Sequence, residues 1–151
     1  MNIIAIGKRH EPWLRDGIAR YQQRLTGPWQ LTWALLPASH QQTESAARQH
    51  ESQHILQKIK PSDYVILLDE RGTTYDSPAL AQQFHRTLQR THAITLVIGG
   101  AYGVSPELRQ RADLIWSLSP LVFPHQIIRL LVVEQLYRCQ QIVAGHPYHH
   151  E

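Results

Sequence analysis

Leu114-Ile-Trp-Ser-Leu-Ser-Pro-Leu-Val-Phe-Pro-His-Gln126, continued by Ile127-Ile-Arg-Leu-Leu-Val-Val-Glu-Gln-Leu-Tyr-Arg-Cys-Gln-Gln141, reads as a strand, a loop and a long apolar helix. On a helical wheel one apolar face collects Ile128, Leu131, Val132, Leu136, Cys139, Ile142 and Val143. A second, narrower face collects Leu130, Val133 and Tyr137, with Arg129 on one side and Glu134, Arg138 and Gln141 on the other. A surface helix ordinarily keeps one broad polar half. Two apolar faces separated by polar stripes predict two packing partners, the chain's own core and a second copy of the chain.

Working outward, the 151 residues fit one domain, large enough to bury a core without disulfide staples. The single Cys139 cannot form an internal bridge and reads as a small core residue in a reducing compartment, which predicts a cytoplasmic protein. The apolar run at Asn2 to Ile6 is too short for a signal peptide, and no stretch has the length of a membrane span, so a soluble protein is expected. Net charge is +3, and the cations are 12 Arg against 3 Lys. Arginine is the better bidentate phosphate ligand, so this balance permits a nucleic-acid partner without requiring one.

Asn2 to Gly7 reads as a short strand, and Pro12 opens a helix with Leu14, Ile18, Tyr21 and Leu25 on one face. From Trp29 to Leu35 apolar residues alternate with Gln30, Thr32 and Ala34, which predicts a strand near a sheet edge. Thr43 to Ile59 reads as a helix of poor periodicity. His50 and His54 have the i, i+4 spacing of helical metal ligands there but lack a supporting third ligand. Tyr64 to Leu68 and Ile94 to Ile98 are continuous apolar runs, as expected of parallel strands covered on both faces. Each is followed by a polar or glycine-rich turn, Asp69 to Gly72 and Gly99 to Gly103, and then by a Ser-Pro helix start, at Ser77 and at Ser105. Strand and helix alternating through short turns predict an α/β domain with a mostly parallel sheet flanked by helices.

Ligands of such sheets gather at the carboxyl ends of the strands. The glycines at 99, 100 and 103 do not match the dinucleotide spacing and lack the Lys-Ser/Thr of a phosphate loop, which argues against nicotinamide or ATP sites.

Four segments, taken together and in this order, closely resemble one family. They are Leu67-Leu68-Asp69-Glu70-Arg71-Gly72, Val97-Ile98-Gly99-Gly100-Ala101-Tyr102-Gly103, Ser117-Leu118-Ser119 with Phe123-Pro124-His125-Gln126, and Arg129 through Glu134 and Arg138 to Pro147-Tyr148-His149. The resemblance, which runs from end to end of the chain, is to the large-subunit (23S) rRNA pseudouridine-N3-methyltransferases of the SPOUT superfamily. It implies an α/β trefoil knot over residues 1–151 and a homodimer whose active site is completed across the interface. It also implies S-adenosylmethionine bound at the positions matching Leu68, Gly99 and the loop Leu118, Ser119, Pro120, Leu121, Val122 and Phe123. The candidates for positioning the base or moving its proton are Arg129, Glu134, Tyr148 and His149. His146, His149 and His150 form an alternative metal cluster that the terminal location disfavours, so no metal is expected. Substrate choice rests on surface shape. A non-catalytic RNA- or ribosome-binding protein of the same fold, or a methyltransferase of another RNA such as tRNA, therefore stays open.

Overall fold

The apolar runs enter a single sheet. The structure, a computed structural model, describes residues 1–91 and 93–146. Its strands are β1 (Asn2–Ile6), β2 (Thr32–Leu36), β3 (Tyr64–Thr74), β4 (Ile94–Ile98) and β5 (Leu114–Ser117). Between and after them come α1 (Pro12–Gln22), α2 (Glu44–Leu56), α3 (Ser77–Arg90), α4 (Pro106–Arg111) and α5 (His125–Val143). The strands are ordered β2-β1-β4-β3-β5, and all neighbours are parallel.

Because strand side chains alternate in direction, the sheet supplies two cores. Ile3, Ala5, Ile66, Leu96 and Ile98 pack with residues of α1, α3 and α5 on one face. Ile4, Ile6, Val65, Leu67 and Val97 pack with Ile55 of α2 and Leu108 of α4 on the other. Ile3, Ile4, Val65, Leu67, Leu96 and Val97 are fully buried, which is why these runs are apolar throughout rather than alternating. Thr95 is tolerated on β4 because its hydroxyl donates to Asp63 Oδ2 at 2.9 Å.

Four sequence expectations need correction. The alternation from Trp29 does not start a strand there: Gly27–Trp29 forms a 3-10 turn, and β2 begins at Thr32, at the sheet edge as expected. Trp29 is buried against Phe84, with ring centroids 6.0 Å apart, so its apolar character serves the helical layer. The segment Asp69 to Gly72 is not a turn. β3 continues to Thr74, and its pairing with β5 shifts register between Leu68 and Thr73. Gly72 belongs to this irregularity, since a Cβ there would lie 2.7 Å from the Ile115 carbonyl oxygen. The cap of α3 is Asp76 rather than Ser77, its carboxylate accepting from Ala79 N at 2.8 Å. Arg129, assigned to a polar stripe, is fully buried. By contrast Ser105 caps α4 as expected, accepting from Leu108 N.

Within its own chain the two-faced helix α5 packs against α1 and α3. Val132, Val133, Leu136 and Cys139 are in the core, and burial pushes the Cys139 thiol up to about 12. Near the middle of α1, Gly17 lets that helix approach, since a Cβ there would stand 3.3 Å from Leu130 Cδ1.

Candidate functional site

The carboxyl ends of β4 and β5 and the stretch Leu68 to Arg71 of β3 surround a cavity of about 700 Å³. Leu68 of β3, Ile98 of β4 and Trp116 of β5 make its apolar floor, and the loops 99–104 and 118–123 make its walls. Gly99, Leu118, Ser119, Leu121, Val122 and Phe123 line it together with Leu68; Pro120, in the same loop, does not. Leu121 and Val122 are 68% and 86% exposed at the rim, so the loop presents apolar surface that a ligand or partner would cover.

Glycine is needed in the wall for contact reasons. A Cβ on Gly99 would stand 2.8 Å from Val104 Cγ1, and one on Gly100 would stand 2.0 Å from Glu51 Oε2. Gly103 has φ of +75° and donates its N–H to the Gly100 carbonyl, closing a tight turn. The result is a wall of backbone, buried at Gly99 and Gly100 and exposed over 101–103, that a flat ligand can approach closely.

The sequence reading places a helix of poor periodicity over Thr43 to Ile59, where α2 stands, but gives it no part in the site. Its weak periodicity reflects a buried face that is polar: Glu51 is 5% and Ser52 1% exposed. Ser52 Oγ accepts from Ser105 N at 2.8 Å, and Glu51 Oε1 accepts from Ser39 N at 2.8 Å, so the helix braces the start of α4 and the loop after β2. At i, i+4 and i+7 along that face stand Glu44, Arg48 and Glu51, the first two lining the cavity. A search for apolar periodicity does not show which face of such a helix is buried. Glu44, Arg48 and Glu51 at helical spacing were the available signal.

Charged groups at the cavity are partly paired. Arg109 of α4 bonds Asp69, both lining it, and Glu70 and Arg71 form a looser pair at 3.5 Å. His125, the first residue of α5, also lines the cavity and is half-buried. Burial and then the Arg129 guanidinium hold its imidazole below the usual histidine range, against a smaller raising effect of Glu51.

Arg129 does not line the cavity. Its Nη2 donates to the carbonyls of Ile6 at 2.7 Å and Gly7 at 3.2 Å, and its Nη1 donates to that of Arg9 at 2.9 Å and approaches His10 Nδ1 at 3.3 Å. Gly7, with φ of +123°, makes room for this clamp, since a Cβ would lie 2.6 Å from Nη2. Replacing Arg129 with methionine keeps the stem but strips three carbonyls at the end of β1 of their donor. The expected loss is about 3–5 kcal/mol in urea unfolding, and a loss below about 1 kcal/mol would show that water substitutes for the guanidinium. Glu134 pairs with Arg138 at 2.7 Å, one turn along α5, and accepts from Gln135 Nε2 at 2.6 Å. Tyr148 and His149 lie outside the described residues, as do His150 and His92.

His50 and His54 stack with ring centroids 4.2 Å apart, and among the described residues no group of three His, Cys, Asp or Glu is arranged to hold a metal ion. No helix among them is long and apolar enough to cross a membrane.

A parallel α/β sheet with a glycine wall and an apolar loop at its strand ends defines a binding domain for a small ligand carrying a flat apolar group. The chain belongs to the SPOUT methyltransferase family: the family model described as "Predicted SPOUT methyltransferase" matches residues 1–149. It is 36% identical over 156 aligned residues to the ribosomal RNA large subunit methyltransferase H of Desulfitobacterium hafniense, covering 99% of this chain and 98% of the relative. It is 34% identical over 154 to the protein of the same name from Hahella chejuensis, covering 100% and 99%. Among solved structures it is similar, at 15% identity and a TM-score of 0.46, to the SpoU methyltransferase AviRb of Streptomyces viridochromogenes in complex with AdoMet. That likeness covers 94% of this chain and 58% of the other.

Proposed function

We propose that this protein transfers a methyl group from S-adenosylmethionine to N3 of a pseudouridine in large-subunit ribosomal RNA. The observation that carries the reading is the cavity itself. Its size, apolar floor and backbone wall suit an adenine, and its mixed charges at Glu44, Arg48, Asp69 and Arg109 suit the zwitterionic end of the same molecule. When bound, S-adenosylmethionine supplies an electrophilic methyl carbon on a positively charged sulfur. The chain's own residues bind the adenosine, seat the amino-acid end and hold the acceptor base in line. Arg129 acts in this scheme by fixing the end of β1 to α5 beside the cavity, and Glu134 by holding Arg138.

The active form is a homodimer in the cytoplasm. Part of the broad apolar face of α5 stays open after the helix has packed against α1 and α3, and this supports a dimer. Leu131, Gln135, Arg138 and Ile142 are half-buried, and Val143 is 38% exposed. Tyr148 and His149 position the base or move its proton in this scheme, and the mixing experiment described below decides whether they serve their own chain's cavity or the partner's.

The deciding experiment supplies labelled S-adenosylmethionine and ribosomal particles lacking the modification, and then maps the labelled nucleotide. Label at N3 of a large-subunit pseudouridine supports the reading; label only in tRNA redirects it to another RNA. Absence of label, with the cofactor bound, leaves a non-catalytic RNA-binding protein. Assembled particles should be far better substrates than a short pseudouridine stem-loop, because the RNA must be recognised by surface shape. Activity should also fall as salt rises, since arginine contacts to phosphate release counterions.

A further inference from the structure

One buried carboxylate and one histidine at the cavity have no part in the binding scheme above. Glu51 Oε2 is buried and, among the described residues, has no hydrogen-bond partner. It occupies the place that a Cβ on Gly100 would take, 2.0 Å from that position, behind the glycine wall of the cavity. A carboxylate left half-satisfied in a protein interior costs stability, which calls for a compensating role. On the cavity side stands His125, the one histidine lining it, whose ring among the described residues makes no hydrogen bond.

We propose that His125 takes the N3 proton of the acceptor base during methyl transfer, and that the Glu51 carboxylate behind Gly100 is the positioning residue that stabilises the imidazolium so formed. This rests on the function proposed above. In the step, the N3–H bond breaks and its proton passes to a ring nitrogen of His125. N3 bonds to the methyl carbon as the carbon–sulfur bond breaks, and that bond's electron pair stays on sulfur, leaving a neutral thioether. Charge balances, because the positive charge of the sulfonium ends on the imidazolium. A base of this kind has to be neutral before the reaction. Burial and then the neighbouring Arg129 favour the neutral imidazole, and Glu51 is the group that moderates this. The other charges around the cavity are Glu44 and Arg48 on α2, Glu70 and Arg71 on β3, and the Asp69–Arg109 pair between β3 and α4.

The test uses two readouts on the full chain: the pH dependence of kcat/KM on undermodified ribosomal particles, and the NMR titration of carbon-labelled histidine in the free protein. The wild-type rate should rise with pH along an acid limb whose midpoint lies below the usual imidazole range, matching the titration of His125. His125→Gln should bind S-adenosylmethionine and melt as the wild type does, yet transfer about a hundredfold more slowly with the acid limb gone. Glu51→Gln keeps an oxygen for Ser39 N, and should move both the limb and the His125 titration to still lower pH. A His125→Gln variant with wild-type rate, or with its limb intact, overturns the proposal. If that variant does not fold, a Glu51→Gln chain with an unmoved His125 titration does the same. Absence of transfer to any RNA by the wild-type chain overturns the proposed function and this step with it. Transfer that His125→Gln leaves unchanged overturns the step alone.

Discussion

Gly99→Val is expected to lower the affinity for S-adenosylmethionine by at least about two orders of magnitude, close to 3 kcal/mol, while the sheet stays folded. The Cβ of any residue at 99 arrives 2.8 Å from Val104 Cγ1, so the wall between β4 and α4 must shift, and the branched side chain also takes space at the mouth of β4. The effect is local because β4 itself, Ile94–Ile98, ends one residue earlier with its core contacts intact. Calorimetry measures the loss, and a melting curve shows that it is not unfolding. A companion variant separates the two steric causes. Gly99→Ala with Val104→Ala removes the clash inside the protein, so recovered affinity would place the obstruction against Val104, and continued loss would place it against the ligand. Unchanged affinity in a folded Gly99→Val protein would remove this glycine from the site.

How far the sequence reaches can be judged from particular residues. The buried strands were readable because parallel strands covered on both faces must be apolar at every position, as Tyr64 to Leu68 and Ile94 to Ile98 nearly are. The Ser105 cap was readable because it is a local contact. What could not be read depends on partners distant in sequence. β3 runs on past Leu68 through polar residues because β5, more than forty positions later, continues the pairing at Trp116 and Ser117. Arg129 is buried because carbonyls about 120 positions away, at the end of β1, need donors there. Of the residues expected to contact the cofactor, Leu68, Gly99 and most of the loop from Leu118 converge on one cavity, since Leu68 ends the pairing of β3 with β4 and the others follow β4 and β5. His125 stood inside the quoted motif, yet nothing in the sequence brought Glu51 behind Gly100. That juxtaposition needed α2 to lie across the glycine wall.

Removing Pro147 to Glu151 is expected to slow methyl transfer at least about a hundredfold, the scale of losing a group that moves a proton or positions a substrate, with little change in folding stability. The segment follows Gly145, whose φ of +67° ends the helix, and the core residues of α5 all precede it. S-adenosylmethionine binding and the dimer should survive, because the cavity and the open face of α5 are built from residues before the cut. Mixing separates a tail that acts on its own chain from one that acts on its partner. A heterodimer of one truncated chain and one Gly99→Val chain should regain up to one working site if the tail crosses over, since the first supplies the cavity and the second the tail. If the tail serves its own cavity, neither site has both parts and activity stays at the level of the two parents. A truncated homodimer with full activity would remove Tyr148 and His149 from the chemistry. The transfer would then be carried by the groups around the cavity alone, with His125 taking the proton as proposed above.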